Sequence, residues 1–353
     1  MDAAELSCSI DVIIVHFHAA ASVRDAVAAL RDDATASNVG LNIIVADNGS
    51  TAEERGLLES LGVDYFAIGR NGGYAGAVDL AFPRTRSDSI ILMNEDVIVL
   101  PGCLRALHVA LESGATVAGP QFFWDRDCNF LLPCTEERTR RNELLKVAGK
   151  RSLAKLERAR NAWRQHARRF WRSRDPIATT ALSGAMLAFR RQTWHSVGPL
   201  DQEFRLYFEE NDWLLRVARA GFQSWYVPAA KAIHLHNPAR ARAPERLRWE
   251  SESFLRFGNR YYGERFMRRL LLVSKRQSVI PNWPAFAADI SQECAASLWI
   301  EVTPSPLGFP AAASRLADSR WPRLPPFLEG TFYLQLVDDI GRELRRYSFQ
   351  LPG

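Results

Sequence analysis

The order of apolar and polar positions over residues 10–132 alternates between strands and helices. Short runs rich in β-branched residues are followed by stretches in which apolar residues recur at helical spacing. The predicted strands are IDVIIVHF, LNIIVAD, VDYFAI and SDSIILMNED, and a glycine-rich turn, NGGYAGA, opens a helix before the last of them. Successive units of this kind predict an α/β fold with a Rossmann-like, mostly parallel sheet flanked by helices.

Residues 136–175 interrupt this pattern with a long charged stretch. Its apolar positions, among them Leu156, Trp163 and Ala167, recur at three, four and seven, while Arg and Lys take much of the remaining surface. This spacing predicts a basic amphipathic helix. The α/β pattern then resumes with the strand ALSGAMLAFRR, a helix over 192–197, a second helix over 212–220 and the strand SWYVPAAKAIHLH.

After residue 266 the chain becomes Pro-rich and contains strand-like runs. SLWIEVT is one, and GTFYLQLVDDIGRELRRYSFQL predicts a hairpin that turns at Asp338 to Gly341. We therefore expect a domain over 8–265, which includes 136–175 as a helical insert, and a small β-rich module over 270–353. Two domains fit a chain of 353 residues, since single cores rarely grow beyond roughly 250 to 300 residues.

Composition narrows the class of protein. Apolar residues make up 47% of the chain and charged residues 24%, and no apolar run is long enough to span a bilayer. The first residues are acidic and lead directly into a strand, and five cysteines form no CxxC pair, so a cytoplasmic location is expected. The net charge of +5 is uneven, because residues 136–174 carry fourteen Lys and Arg against four Glu.

An acidic cluster follows the apolar strand IILM. Asn94, Glu95 and Asp96 stand at its carboxyl end, where open α/β sheets bind their ligands. The triplet either caps a helix or contacts a ligand, because buried carboxylates are costly without partners. Carboxylate oxygens favour Mg²⁺ or Mn²⁺ over zinc, so we expect a metal ion on a diphosphate here.

A second acidic cluster lies about a hundred residues later. Glu209, Glu210 and Asp212 fall within YFEENDW, beside aromatic residues that can raise the pKa of one carboxylate towards that of a general base. The alternative is that these acids only stabilise the start of a helix. His234 and His236 share one face of a strand, and we expect His234 to be a metal ligand, although an isolated histidine is more often structural.

Two turns can contact a nucleotide. Asp47 ends the strand LNIIVAD and is followed by Asn48, so the turn is either an Asx turn or a contact to a base or ribose. Asn71 and Gly73 belong to the glycine-rich turn, whose backbone can approach a phosphate at a helix start. Each signal is weak by itself.

Taken in order, seven motifs resemble the family 2 glycosyltransferases of GT-A fold, and most of all their bacterial rhamnosyltransferase-type members. The motifs are IIVHFH, IIVADNGST, NGGYAGA, ILMNEDV, LSGAMLAFRR, VGPLDQEFRLYFEENDWLLRVARAGF and HLH. The resemblance covers about residues 10–265. It implies an inverting, metal-dependent transfer of rhamnose or a similar sugar from a dTDP-, UDP- or GDP-sugar. The implied acceptor is a saccharide or a lipid-linked glycan in bacterial surface polysaccharide synthesis.

The resemblance also implies roles for single residues. Glu210 is the implied base, with Glu209 and Asp212 beside it, and Asp96 and His234 are the implied ligands of Mg²⁺ or Mn²⁺. The implied donor-binding residues are Asp47, Asn48, Asn71, Gly73, Asn94 and Glu95. The sequence departs from the family where Glu210 replaces the usual Asp, where Asn94 replaces the first acid of a strict DxD, and where Asp79 replaces the usual Asn.

Two other functions are alternatives to a glycosyltransferase. A nucleotidyltransferase needs a phosphate-binding loop after the first strand, and HFHAAASVRD lacks one. A non-catalytic glycan-binding or scaffold protein remains the alternative. The basic helix either packs on the sheet or lies on an anionic membrane at the inner face of the plasma membrane through residues 151–172, with Trp163, Phe170 and Trp171 inserted. Nucleic acid binding is not expected.

Overall fold

The computed structural model describes residues 8–69, 71–133, 135–235, 244–274, 279–286, 298–316, 322–325 and 328–351. These residues divide into two units. Among them, 8–122, 173–235 and 248–256 form the first unit, and 123–172, 244–247 and 257–351 form the second.

The first unit is built around one large sheet. Its strands are β1 (Cys8–His16), β2 (Val39–Asp47), β3 (Asp64–Ala67), β4 (Ser89–Asn94), β5 (Val97–Val99), β6 (Val117–Phe123), β7 (Ile177–Ala178), β8 (Met186–Arg190) and β9 (Ser224–His234). Their order is β3-β2-β1-β4-β8-β6-β9-β5, and β7 pairs with β9. The helices are α1 (Ala20–Ser37), α2 (Ala52–Ser60), α3 (Gly73–Ala81), α4 (Cys103–Glu112), α7 (Arg191–Val197) and α8 (Glu209–Arg219).

The four strands β3, β2, β1 and β4 are parallel neighbours, and β8 runs antiparallel to β4. Ile, Val and Leu side chains of β1, β2 and β4 are buried between helix layers, as expected for parallel strands covered on both faces. The register pairs His16 with Asp47 and Val15 with Asn94. The carboxyl ends of these three strands therefore meet at one edge, and the predicted α/β architecture, a mostly parallel sheet flanked by helices, is confirmed.

The second unit has its own antiparallel sheet. The strand order is β11 (Ala312–Arg315), β10 (Trp299–Thr303), β12 (Gly330–Val337) and β13 (Glu343–Leu351). The hairpin between β12 and β13 turns at Asp338 to Gly341, as predicted. Its helices are α5 (Arg140–Gly149), α6 (Leu153–Trp171) and α10 (Glu264–Ser274). The remaining helix, α9 (Pro244–Tyr262), contributes residues 248–256 to the first unit.

The basic stretch 136–175 differs from its prediction in three respects. It forms two helices rather than one, because the chain turns at Lys150 to Ser152 before α6. The apolar stripe of α6 packs against β10, the 307–313 segment and β12, so residues 123–172 group with the C-terminal sheet. The third difference concerns the arginines, since Arg164 and Arg168 are buried rather than on the surface.

Of the two alternatives for this helix, the packing supports burial on a sheet and not the insertion of three aromatic side chains into a bilayer. Trp163, Phe170 and Trp171 are all nearly inaccessible to solvent, and Trp171 stacks on Trp299 at 5.8 Å. The spacing of apolar residues was correct, but the stripe faces a sheet of the same chain. Among the residues described, no helix combines the length and apolar character that crossing a membrane requires.

Candidate active site

The carboxylate of Asp47 closes a tight turn at the end of β2. Oδ1 accepts hydrogen bonds from the Gly49 and Ser50 amides at 3.0 and 2.8 Å, and Oδ2 accepts one from the Tyr65 hydroxyl at 2.7 Å. Burial alone would raise the pKa of Asp47, but the hydrogen bonds from Tyr65 and Ser50 hold it below its ordinary value. The turn is thus an Asx turn, and its carboxylate is kept ionised at the edge of the sheet.

Asn48 joins the end of β2 to the glycine-rich turn before α3. Its side-chain Nδ2 donates to Asn71 Oδ1 at 3.1 Å and to the Gly73 carbonyl at 3.2 Å, and its Oδ1 accepts from the Gly72 amide at 2.8 Å. The Asn48 amide donates to the His16 carbonyl at the end of β1. Three of the predicted donor-binding residues, Asn48, Asn71 and Gly73, are therefore held together.

Gly73 begins α3 with a backbone φ of 78°, a value that favours glycine. A Cβ at this position would lie 3.2 Å from the carbonyl oxygen of Arg205. The glycine thus allows the turn to approach the segment that leads to the second acidic cluster. Gly76, one turn further along α3, faces the side chain of Gln202, which donates to Asp79 at 3.0 Å.

Glu95 contacts the end of β1. Its Oε2 accepts from the Phe17 amide at 2.8 Å and lies 2.6 Å from Nδ1 of His16, which is fully buried. The second ring nitrogen of His16, Nε2, is buried without a hydrogen-bond partner in the described part of the chain. The contacts of Glu95 make it a residue that fixes the carboxyl ends of β1 and β4 relative to each other.

Asp96 and His234, the two predicted metal ligands, lie side by side. The two residues flank the antiparallel pair of β5 and β9, and Asp96 Oδ1 is 3.3 Å from His234 Nε2. The Asp96 side chain is about one third exposed. His236 falls outside the described residues. Within those residues, no cluster of three or more His, Cys, Asp or Glu side chains suits a metal ion.

The turn before α8 has an unusual backbone. Tyr207 and Phe208 have φ values of 64° and 72°, which bulky L-residues rarely adopt, at a cost of order 1–3 kcal/mol each. Helix α8 begins directly afterwards at Glu209, three residues before the helix start that the sequence predicted. Glu209 and Glu210 therefore stand in the first helical turn, where the helix dipole also favours carboxylates.

Residues of α9 hold this strained turn in place. Ser253 Oγ donates to the Leu206 carbonyl at 2.9 Å, and the Phe254 ring packs on Phe208 at 5.9 Å. The Arg205 guanidinium lies 4.5 Å from the centre of the Trp249 ring. A backbone strained at two successive residues persists only where its surroundings determine it, and here α9 supplies those surroundings.

Glu209 and Tyr74 form a buried polar pair whose hydrogen bonds are incomplete. Oε2 of Glu209 and the Tyr74 hydroxyl are both buried without a hydrogen-bond partner among the described residues. Burial and the neighbouring Glu210 carboxylate raise the pKa of Glu209 well above its ordinary value. Burial and the same two carboxylates raise the pKa of Tyr74. Glu209 therefore keeps its proton more readily than an ordinary glutamate does.

Glu210 packs against a glycine that leads into β8. A Cβ at Gly184 would lie 2.9 Å from Cγ of Glu210, so the glutamate occupies space that any larger residue would take. The next residue, Ala185, accepts a hydrogen bond from the Asn94 amide at 2.9 Å. Residues 184–185 therefore contact both acidic clusters, and Asn211 donates a short hydrogen bond to Glu210 Oε1.

Asp212 has a different environment from its two neighbours. Its carboxylate is fully buried and accepts from Arg216 Nε at 2.8 Å. Arg216 in turn donates to the carbonyls of Val197 and Pro199 at 2.8 and 2.7 Å, which fixes the loop that follows α7. These contacts make Asp212 part of the support of α8.

Three residues of the candidate site lie within the recognised motifs but were not predicted to have a role there. His16 lies in IIVHFH, Tyr74 in NGGYAGA and Gly184 in LSGAMLAFRR. Their roles depend on contacts with residues 79, 135 and 26 positions away, namely Glu95, Glu209 and Glu210. The motifs were the only sequence signal for them.

Comparison with known proteins places these residues in context. Residues 11–179 match the model of glycosyl transferase family 2, a range that includes Asp47 and Asp96 and ends before Glu210. Over 242 residues the chain is 27% identical to N-acetylglucosaminyl-diphospho-decaprenol L-rhamnosyltransferase of Mycobacterium tuberculosis, strains CDC 1551 / Oshkosh and ATCC 25618 / H37Rv. That alignment covers 63% of this chain and 76% of the relative. The predicted resemblance is confirmed.

A solved structure is also similar to the chain. Mannosyltransferase PcManGT from Pyrobaculum calidifontis, in complex with GDP-Man and Mn²⁺, aligns with a TM-score of 0.43 and 13% sequence identity. The alignment covers 76% of each chain.

Proposed function

Because the chain is a glycosyltransferase with a family 2 domain, we propose that it transfers a sugar, with inversion, from a nucleotide-sugar to an acceptor hydroxyl. The observation that carries this proposal is the contact of residues 184–185 with both acidic clusters. One cluster, with Asp96 and His234, suits a diphosphate and its metal ion. The other, with Glu210, suits the acceptor.

We assign the donor to the turns at the carboxyl ends of β2 and β4. Asp47 contacts the base or ribose, and the Asn71 to Gly73 turn at the start of α3 approaches the diphosphate. Asn48 and Glu95 keep these turns in position through the hydrogen bonds described above, and Asn94 links them to residue 185. A dTDP-, UDP- or GDP-sugar fits this assignment, with rhamnose or a similar sugar favoured by the relative's name.

The residues present fit a divalent cation. Mg²⁺ and Mn²⁺ sites commonly use one or two protein ligands and take the remainder from phosphate oxygens and water. Asp96 Oδ1 and His234 Nε2 are close enough to share one ion, and the exposed part of Asp96 leaves room for a diphosphate. When bound, Mg²⁺ or Mn²⁺ would neutralise charge on the leaving nucleoside diphosphate.

Glu210 is the proposed general base. It takes the proton of the acceptor hydroxyl while that oxygen bonds to the anomeric carbon, and the bond from this carbon to the nucleoside diphosphate breaks on the opposite face. Burial and the neighbouring Glu210 raise the pKa of Glu209, which favours its neutral form beside the base. Asp212 acts as a positioning residue, because its pairing with Arg216 fixes the helix that carries the base.

The acceptor follows from the relative's name. The mycobacterial relative is named for a saccharide carried on a diphospho-decaprenol lipid. We propose a lipid-linked or free saccharide acceptor for this chain, met at the cytoplasmic face of the plasma membrane during surface polysaccharide synthesis. This proposal does not require α6 to insert into the bilayer.

The test is metal-dependent release of nucleotide from a panel of dTDP-, UDP- and GDP-sugars, with and without a lipid-linked acceptor. Wild type, Asp96→Ala and Glu210→Gln are compared, and Glu59→Gln, which changes an exposed acid of α2, is the matched control. We expect release from one donor, lost in both site variants and retained in the control. Equal release by Glu210→Gln and wild type would remove Glu210 from its role.

A further inference from the structure

The second unit contains a cavity of about 520 Å³ between helix α6 and the β12–β13 hairpin. None of its lining residues belongs to the candidate active site. Five of its eleven lining residues are arginines, namely Arg160, Arg164, Arg168, Arg342 and Arg346. Two glutamates, Glu157 and Glu343, also line it. We call this space the arginine cavity.

One of these arginines is fully committed to the fold. Arg164 is buried and makes a bidentate pair with Glu301, from Nε to Oε1 at 2.7 Å and from NH2 to Oε2 at 2.9 Å. It also donates to Gln335 Oε1 and to the Gly341 carbonyl. Its charge and its hydrogen-bond donors are thus matched by the protein itself.

Two others, Arg160 and Arg168, are buried with hydrogen-bond donors left open. Arg160 is 2% exposed, and its Nε makes no hydrogen bond. Its NH1 lies 3.0 Å from Glu343 Oε2, but the geometry of that contact is too poor for a hydrogen bond. Glu343 is shared with Arg346, whose Nε donates to its other oxygen.

Arg168 lacks even a shared carboxylate. It is 7% exposed, donates to the carbonyls of Asp338 and Asp339, and leaves Nε without a hydrogen bond. In the part of the chain that the structure describes, no carboxylate lies close enough to form an ion pair with it. Burial lowers the pKa of both Arg160 and Arg168, and neighbouring arginines contribute to the shift.

Buried guanidinium groups with open donors are costly, and a bound anion offsets that cost. We infer that the arginine cavity binds a small phosphorylated anion. A phosphoryl group carries up to two negative charges and several acceptor oxygens, and the planar guanidinium fork suits it. A cavity of this volume also accepts ligands larger than a single phosphate, because small-molecule sites span about 300–1,000 Å³.

The experiment is isothermal titration of the full chain with pyrophosphate and with orthophosphate in EDTA, which removes metal-dependent binding at the acidic clusters. The test variant is Arg342→Gln/Arg346→Gln. Arg342 is largely exposed, and neither side chain is buried in the hydrophobic core. Lys155→Gln/Arg158→Gln is the matched control, since it also removes two positive charges, from exposed positions of α6 outside the cavity. We expect pyrophosphate to bind at least tenfold more weakly to the test variant and unchanged to the control.

Two further arms remove ambiguity. The single variant Arg342→Gln replaces the double variant if thermal unfolding shows that the latter is not folded. Asp96→Ala should bind pyrophosphate like wild type, because the arginine cavity does not use Asp96. Equal binding by wild type and the cavity variants, or no binding at millimolar pyrophosphate, would overturn the inference without affecting the proposed transfer reaction.

Vesicle binding distinguishes two sources of the phosphoryl group, a lipid headgroup and a free phosphorylated compound. Binding of the chain to phosphatidylcholine vesicles with and without phosphatidic acid is measured by sedimentation, with pyrophosphate as competitor. Phosphatidic acid binding that pyrophosphate and the cavity variants abolish identifies a lipid phosphate. Pyrophosphate binding without vesicle binding identifies a free phosphorylated compound.

Discussion

The first unit collects carboxylates at the end of its sheet, whereas the second collects arginines against its sheet. Both bury several of these charges. In the first unit the buried Asp11, Asp33 and Asp212 accept hydrogen bonds from amides, an asparagine or an arginine. In the second, Arg164 is matched by Glu301. These charges hold the fold together.

Several of the exceptions lie where ligands are proposed, although others, such as the indole nitrogens of Trp163 and Trp249, do not. Glu209 Oε2 and the Tyr74 hydroxyl in the first unit, and Nε of Arg160 and Arg168 in the second, are buried without hydrogen bonds among the described residues. Since native proteins satisfy most buried polar atoms, such exceptions need an explanation. Both structural and functional charges are buried. The comparison suggests that they differ in whether their hydrogen bonds within the protein are complete.

The largest expected effect comes from removing the proposed base. Glu210→Gln keeps the size of the side chain but cannot take a proton, so transfer should fall by roughly 10²–10⁴, as general-base loss does. Donor affinity, measured by titration, should stay within about twofold because the donor turns are untouched. Glu210→Asp shortens the side chain by one methylene but keeps the carboxylate, so it should retain far more activity. Full activity of Glu210→Gln would show that Glu210, like the carboxylates that hold the fold together, has no direct role in transfer.

In the second unit the largest effect should come from a matched charge. Glu301→Leu leaves Arg164 buried without its partner, and breaking such a pair costs about 3–5 kcal/mol in the free energy of unfolding. The exposed pair of Arg172 and Asp339 is the contrast, since Arg172→Gln should cost only about 0–1 kcal/mol. Urea unfolding measures both. The double variant Arg164→Met/Glu301→Leu should recover most of the loss, and no recovery would contradict the pairing argument.

A smaller effect is expected at Gly184. In Gly184→Ala the added methyl group would sit 2.9 Å from Glu210 Cγ, so the base must shift. Misplacement of a catalytic group without its loss should lower kcat by roughly tenfold, with an unchanged unfolding midpoint. Gly221→Ala, where a Cβ meets nothing within 4 Å but φ is positive, is the control for backbone strain alone. A larger activity loss in the control would refute the steric argument.

The smallest effect concerns pH. The folded-state pKa of Glu209 is raised by burial and by Glu210, so the folded chain holds a proton that the unfolded chain releases. Wild-type stability should therefore decrease as pH rises above the ordinary Glu value of about 4.3, by at most about 1.4 kcal/mol per pH unit, until the folded-state pKa is passed. Glu209→Gln lacks this decrease, so its advantage over wild type should grow with pH. A constant difference between the two would show that Glu209 is ionised in both states.

The parallel strands could be predicted because their signals are local. β1, β2 and β4 appear as apolar runs, and the parallel arrangement requires Asp47 and Asp96 to meet at one edge. Glu209 and Glu210 were predicted as site residues from the acidic motif YFEENDW. The strained turn before them was not predicted, since Tyr207 and Phe208 carry no preference for positive φ. Their conformation depends on Phe254 and Ser253, some 46 residues later.

Helix α6 shows which features of a helix its own sequence does not predict. The apolar stripe of α6 was predicted correctly, but a bilayer and a protein sheet present the same apolar surface to such a stripe. The burial of Arg164 and Arg168 was not predicted because their partners lie far away in the chain. Glu301 follows Arg164 by 137 residues, and the carbonyls that Arg168 contacts are 170 and 171 residues away.

The support that α9 gives to the Tyr207–Phe208 turn has a consequence for synthesis on the ribosome. Every acid of the candidate site has been translated by residue 212, yet Trp249, Ser253 and Phe254 emerge later. Until they do, the strained turn lacks the contacts that α9 makes with it, and we expect the first helical turn of α8 to relax. We therefore expect a nascent chain to acquire transferase activity only after residue 256 has left the exit tunnel, well beyond the end of the family 2 match at residue 179.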